Sequence, residues 1–352
     1  MRSKDIAKIA GVSRSTVSRV VNNYSNVPEK TRKKVMKIVD EYGYTPNSSA
    51  RILAGKAGKT IGVFVTEVQA SDKRSVIKAS GYFSQFISYI IYEADKYDYN
   101  VLVSIINDKK DFNNVKKIFL NKTISGGIFI GEKQETPEIK ELIKKKCKIG
   151  LVDQKQTECL KNSVIVNSDD FKGAYKATEY LIQNGHKRIM HLSGDLKKNS
   201  GKEREKGYEE ALKDYNMEIK KEYILNGDFT EESGYIQTKA KFDKLEQKPT
   251  AIFVSSDSMA IGAIKALNEL GYKIPEDISI IGYDNIELSK YTNPRLSTVD
   301  VGMGKMAKTM VFNLVNLIEE KENIKYNNKV ETTVIIREST KKIFNKIESK
   351  KD

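Results

Sequence analysis

Lys4-Asp5-Ile6-Ala7-Lys8-Ile9-Ala10-Gly11-Val12-Ser13-Arg14-Ser15-Thr16-Val17-Ser18-Arg19-Val20-Val21-Asn22 is the stretch that decides how the chain begins. Residues 4–10 place Ile6, Ile9 and Ala10 on one helical face. Gly11 can end that helix, since it tolerates a left-handed backbone, and Ser13 can cap the next. The second helix, Arg14 to Asn22, turns Val17, Val20 and Val21 inward and Arg14, Ser15, Ser18 and Arg19 outward. A third is predicted from Pro28, with Val35, Ile38, Val39 and Tyr42 apolar and Lys30, Arg32, Lys33 and Lys34 exposed. Two short helices joined by a three-residue turn, the second one basic, describe a helix-turn-helix. Its outward face mixes short hydroxyls with arginine, which suits close approach to base edges. A merely solvated face would carry Glu/Lys pairs.

Charge supports that reading. The 352 residues carry 61 Lys+Arg against 47 Asp+Glu, a net +14, and residues 1–59 hold 13 against 4 of these. A compact basic module on a nearly balanced body points to a polyanion partner for the module alone. With 39% hydrophobic residues the chain has material for two or three domains, and neither a disordered nor a collagen-like chain fits. No uncharged apolar run reaches the ~18 residues of a membrane span, and the start is no signal peptide, so a cytoplasmic protein is expected. Two cysteines, Cys147 and Cys159, cannot build a disulfide framework or a structural zinc site.

The run Ala7-x-x-Ala10-Gly11-Val12-Ser13-x-x-Thr16-Val17-Ser18-Arg19-Val20-Val21-Asn22 continues as Thr31-Arg32-x-x-Val35, Gly43-Tyr44-x-Pro46-Asn47 and Ala50-Arg51-x-Leu53-Ala54. It closely resembles the headpiece of the lac repressor/galactose repressor family of bacterial transcriptional regulators. The resemblance implies that Arg14, Ser15 and Arg19 face the major groove of an operator and that Thr31 and Arg32 lie near phosphates. Ser13, Thr16, Ser18, Asn22 and Asn47 complete the implied DNA-contacting set. It also makes Ser48 to Lys56 a hinge helix, separated from the third helix by Pro46. Leu53 then stands where relatives wedge a leucine into the minor groove, and Ala50 is the small residue that lets two hinges approach.

From residue 60 onward, strand-like runs alternate with amphipathic segments. The predicted strands are 60–65, 100–106, 126–130, 148–152, 188–192, 251–254 and 278–282. The predicted helices are 83–97, 171–183, 205–214, 258–270 and 305–318. Such alternation builds parallel sheets covered on both faces, and over ~280 residues it predicts two doubly wound lobes. Landmarks of the same family recur to Arg337-Glu338-Ser339-Thr340. The expected fold is therefore an all-α helix-turn-helix headpiece (1–45), a hinge (46–59), a two-lobe α/β body like periplasmic sugar-binding proteins (60–340) and a basic tail (341–352). The lobes are expected to exchange strands near residues 163, 292 and 325.

Effector-binding candidates are residues that end strands or open helices on the cleft side. Asp153 and Asp284 follow strands, where a carboxylate can accept paired hydroxyl hydrogen bonds. Arg204 is expected at a helix opening with a planar donor fork. Ser256 and Asp257 begin the helix after 251–254, and Phe229 matches an aromatic that stacks on the effector in relatives. Tyr82 and Phe83 fall where relatives carry an Asn-Pro-aromatic turn; here Val68–Ala79 inserts extra residues before them.

Gly302-x-Gly304-x-x-Ala307 imitates a dinucleotide fingerprint, but only ~50 residues remain after it, too few for a two-half dinucleotide fold. His186 and His191 make a poor metal pair, and Ser255, His186 and Asp257 lack any nucleophile-elbow sequence. No cofactor, metal or catalysis is expected. The tail lacks leucine heptads, so a homodimer is expected rather than a tetramer. The resulting expectation is a dimeric regulator whose operator affinity is set by a small molecule, a sugar by family resemblance. The alternative is a catabolite-control type whose co-repressor is a phosphorylated carrier protein.

Overall fold

The computed structural model describes residues 1–21, 24–44, 58–66, 81–131, 136–155 and 162–343. Expectations for Asn22, Asn47, Ala50, Leu53, the hinge helix, the Val68–Ala79 insertion and Cys159 lie outside these residues, as does the tail beyond Ile343.

The headpiece is three helices, α1 (Ser3–Ala10), α2 (Arg14–Val21) and α3 (Glu29–Glu41). Gly11 ends α1 with φ +65, its N–H and that of Val12 turning back to the carbonyls of Lys8 and Ala7. Ser13 Oγ accepts the Thr16 N–H at 3.1 Å and so caps α2. Pro28 stands just ahead of α3, where its missing N–H costs nothing. The core is Ile6, Ala7, Ala10, Val17, Val20, Val27, Val35, Ile38 and Val39. Two placements differ from the sequence reading. Ile9 is 46% exposed and Ala7 is buried in its stead. At 100° per residue the inner arc runs from Ile6 through Ala10 to Ala7, and Ile9 falls beyond its edge. Tyr42 is exposed because α3 has ended one residue earlier.

The body holds two parallel sheets, with strands numbered in chain order. The first has β1 (Thr60–Val65), β2 (Asn100–Ile105), β3 (Gly126–Ile130), β4 (Ile149–Val152), β5 (Ser163–Ser168) and β11 (Asn327–Val330), in the order β11-β5-β4-β3-β1-β2. The second has β6 (Ile189–Ser193), β7 (Ile224–Asn226), β8 (Ala251–Val254) and β9 (Ser279–Ile281), in the order β7-β6-β8-β9. Runs such as Gly-Gly-Ile-Phe-Ile and Ala-Ile-Phe-Val are buried throughout, as sheets covered on both faces require. Helices α4 (Gly81–Asp95), α5 (Lys109–Leu120), α6 (Pro137–Lys144) and α11 (Met303–Ile318) belong to the first lobe. Helices α7 (Asp170–Gln183), α8 (Asn199–Asp214), α9 (Glu231–Lys241) and α10 (Asp257–Glu269) belong to the second. On one face of the first sheet Phe64, Phe112, Phe119 and Phe129 pack ring against ring.

The crossings between lobes correct one expectation. Residues 163–168 are a strand of the first sheet, paired with β4 and β11, so the chain leaves that lobe at Asp169 rather than near 163. It returns through β10 (Thr298–Asp300) and crosses again to β12 (Thr333–Ile335), which pairs antiparallel with β10. The crossings lie side by side: the Asp169 N–H donates to the Val330 carbonyl at 2.8 Å, and the Thr332 hydroxyl donates to the Asp169 carbonyl at 3.4 Å.

Candidate functional site

In the headpiece α2 buries Val17 and Val20 and leaves Arg14, Ser15, Ser18 and Arg19 exposed together. Ser13 Oγ lies 2.7 Å from Ser15 Oγ and 2.9 Å from Thr16 Oγ1, so three hydroxyls form one chain at the start of the helix. The Arg14 Nε–H donates to Ser3 Oγ on α1 at 3.0 Å. Thr31 and Arg32 are half-buried in the first turn of α3, where Arg32 donates to the Tyr24 carbonyl and lies 3.8 Å from Glu29.

The body's cleft is a partly open space between the lobes, lined from both. The first lobe contributes Tyr82 and Phe83 from the start of α4, Ile130 and Gly131 from the end of β3, Val152 and Asp153 from the end of β4, Ser168 and Met306. The second contributes Asp170, Lys198, Ser200, Arg204, Phe229, Ser256, Ser258 and Asp284. Strand ends converge here because parallel sheets bring all their carboxyl ends to one side. Asp153 (φ +60), Phe229 (φ +73) and Asp284 (φ +107) each hold a left-handed backbone without being glycine.

Arg204 is the centre of the polar network. Its Nε donates to Asp170 Oδ1 at 2.8 Å, and its Nη1 donates to the Ser255 carbonyl at 2.5 Å and lies 3.1 Å from Asp284 Oδ1. The guanidinium rests 3.8 Å from the ring centre of Tyr283, a face-on cation–π contact. Burial alone would loosen its proton; Asp170 and Asp284 more than offset that and hold it firmly charged. Asp153 reaches across the cleft: the Ser200 N–H and hydroxyl donate to its two oxygens at 2.6 and 2.7 Å. A first-lobe carboxylate thereby caps the N-terminus of second-lobe helix α8, where a helix dipole favours negative charge. Burial, and then the neighbouring Asp170, push Asp153 up to about 7. Burial also carries Asp284 to about 7, against the pull of Arg204. Phe229 packs over Gly194, where a Cβ would collide with its ring, and Lys198 Nζ stands 5.4 Å from that ring's centre.

Of the residues singled out from sequence, Tyr82, Phe83, Asp153, Arg204, Phe229, Ser256 and Asp284 meet in this cleft. Asp257 does not, and its place as an effector contact is corrected. It is fully buried behind the lining, accepting the Ile286 N–H at 2.9 Å and the Thr298 hydroxyl at 2.6 Å. Both acceptor oxygens brace the floor. Arg204 does not open its helix either; α8 begins at Asn199, and Arg204 reaches the cleft from the second turn. Ser256 lines the cleft while its hydroxyl caps α10 through the Met259 N–H. Sequence reasoning missed Asp170, Lys198 and Ser200. The first signal was available in the pair Asp169-Asp170 right after a strand; the other two became cleft residues once α8 began earlier. His186, Ser255 and Asp257 are not joined: His186 bonds to Thr250 and the Lys341 carbonyl.

A small helix-turn-helix unit and a two-lobe α/β body with a polar cleft define the class: a ligand-responsive DNA-binding protein. Comparison with known proteins agrees. Residues 4–47 match the family described as bacterial regulatory proteins, lacI family, and residues 178–340 match the periplasmic binding protein-like domain. Over 346 residues the chain is 34% identical to the HTH-type transcriptional repressor PurR of Vibrio vulnificus (strain CMCP6), covering 97% of this chain and 98% of that one. It is 34% identical over 340 residues to the probable HTH-type transcriptional repressor ExuR of Bacillus subtilis (strain 168), with the same coverages. The crystal structure of the lac repressor dimer bound to operator and the anti-inducer ONPF superposes with a TM-score of 0.79 at 29% identity, over 96% of this chain and 98% of that one. The chain belongs to the lacI family of bacterial regulatory proteins; it is a transcriptional repressor with an effector-binding domain, not an enzyme. Among the described residues no helix is long and apolar enough to cross a membrane.

Proposed function

We propose that this repressor reads a pseudo-palindromic operator as a cytoplasmic homodimer and that a carbohydrate in the cleft sets its affinity. The observation that carries the effector reading is the meeting of two strand-end carboxylates, Asp153 and Asp284, with the Arg204 fork and the Phe229 ring in one partly enclosed space. Carboxylates accept paired hydroxyls, the guanidinium donates to ring or hydroxyl oxygens, and an aromatic face covers the apolar side of a sugar ring. In the headpiece, Arg14, Ser15 and Arg19 supply base choice, while Ser13, Thr16, Ser18, Thr31 and Arg32 position the helix. The dimer reading is supported by apolar side chains left in solvent: Leu288 is 55% and Tyr291 74% exposed, and Leu288 borders the same groove as Tyr89.

Ligand between the lobes changes their relative arrangement and so the operator affinity, by a coupling of ~1–3 kcal/mol, a typical allosteric size. Fluorescence anisotropy of the full chain on a semi-symmetric operator consensus, against scrambled DNA at physiological salt, tests this. Preference for the operator by ~10³ or more, shifted by a member of a sugar panel, is the expected result. Specific binding that no sugar alters would remove the carbohydrate reading; no specific binding to any site would remove the headpiece reading.

A further inference from the structure

The cleft lining holds three carboxylates, from Asp153, Asp170 and Asp284, against two cations, Lys198 and Arg204. Arg204 spends its Nε on Asp170 and its Nη1 on Ser255 and Asp284, so most of its attraction is consumed inside the protein. Lys198 is buried over Phe229, and its charge partly offsets that of Asp153. Among the described residues, the other titratable groups acting on these carboxylates include the phenols of Tyr82 and Tyr283 and the carboxyl of Asp257, none of which brings positive charge. With all three carboxylates ionised, the described lining carries one negative charge in excess, in a place where water screens poorly. Burial and Asp170 push Asp153 up to about 7, and Asp284 stands at about 7 in spite of Arg204 beside it. The two carboxylates also have room for further donors: each has about four acceptor sites, and among the described residues the contacts at bonding distance are those of Ser200 and Arg204.

We infer that the cleft is charge-selective: its ligand is rich in hydrogen-bond donors and carries no negative charge, a neutral or amino sugar, whereas sugars bearing a carboxylate or phosphate are rejected. This rests on reading the cleft as a carbohydrate site. A carboxylate or phosphate would lie against Asp153 and Asp284 with Arg204 already engaged. An ammonium would instead find paired acceptors, and a neutral hydroxyl group adds no charge to the site.

Isothermal titration of the full chain at about pH 8, where both carboxylates are ionised, tests it with matched sets: hexoses of several stereochemistries, each with its 2-amino, uronic acid and 6-phosphate counterparts, plus adenine and its nucleoside monophosphate. The expected result is a set in which the neutral or amino member binds and its acidic counterparts bind more weakly by about tenfold or more, as like charges in a poorly screened site require. A uronic acid or phosphate that binds as well as its parent overturns the inference and leaves the carbohydrate reading standing. If only adenine binds and its monophosphate does not, the carbohydrate reading falls and the charge selection stands. If neither set binds, both fall. Two readouts separate charge from simple fit. Asp284→Asn and Asp153→Asn, checked for folding by thermal denaturation, should narrow the gap between parent and acid. In the unmodified chain the neutral ligand should lose affinity from about pH 8 to about pH 6, as the acceptor carboxylates take up protons. Affinity that rises on acidification contradicts the inference.

Discussion

Asp284 stands on a left-handed backbone at φ +107, lies 3.1 Å from Arg204 and stays buried. Arg204 spans it and Asp170 with a planar fork that lysine cannot reproduce. Arg204→Lys should therefore keep the charge but lose the Asp170 or Ser255 bond, costing about 1.5–3 kcal/mol of stability, the usual size for a hydrogen bond to a charged group. Urea denaturation reads this directly; an unchanged midpoint would show that the fork contributes nothing. Asp153 gives a pH prediction with a definite sign. Its pKa is near 7 when folded and about 4 when unfolded, so between those values the folded state holds more protons. Stability from this group is present at low pH and is lost as pH rises from about 4 to about 7, then levels off. Asp153→Asn should flatten that part of the stability–pH curve in urea melts across the range. An identical slope in the variant would mean that Asp153 titrates as an ordinary exposed carboxylate.

In the headpiece, Gly11 and Ser13 set where α1 stops and α2 starts. Ser13→Ala removes the cap on Thr16 and should destabilise the headpiece by about 1 kcal/mol. It also removes the hydroxyl to which Ser15 is joined, so operator preference should fall along with the headpiece melting point. A lowered melting point with unchanged operator preference would separate cap from readout. These end signals are why the first 44 residues were so legible: glycine, serine and proline at the turns act locally, and the buried valines follow one helical period. Ile9 was misplaced because a short helix leaves the edge of its apolar arc undetermined until neighbours pack. The cleft was legible only where a side chain directly ends a strand, as with Asp153 and Asp284. Asp257 carries the same signal but faces inward, because the loop to Ile286 and the Thr298 hydroxyl take its carboxylate. No local pattern distinguishes the two fates. The early start of α8, which brings in Lys198 and Ser200, was hidden by its polar first turn, Asn199-Ser200-Gly201-Lys202.

Within the body, polar links join the two lobes across the cleft. Asp153 caps α8 from the first lobe, and the Glu287 N–H donates to Gln85 Oε1 at 3.0 Å across the same divide. The crossing strands around Asp169, Asp300 and Thr332 form a narrow bundle about which such links can open or close. Alternation of strands and helices made two lobes predictable, whereas the place of each crossing was not. The strand at 163–168 joins the first sheet only because β11, from far along the chain, pairs with it. Occupancy of the cleft is proposed to control the headpiece's hold on DNA, and operator affinity tests this directly, by anisotropy, for the full chain and for Phe229→Ala, each with and without saturating ligand found in the titrations. A shift of about 5–150-fold is expected in the unmodified chain, with no shift in Phe229→Ala and equal ligand-free affinities. Ligand that binds the unmodified chain without moving its operator affinity, or that moves both proteins equally, would contradict it.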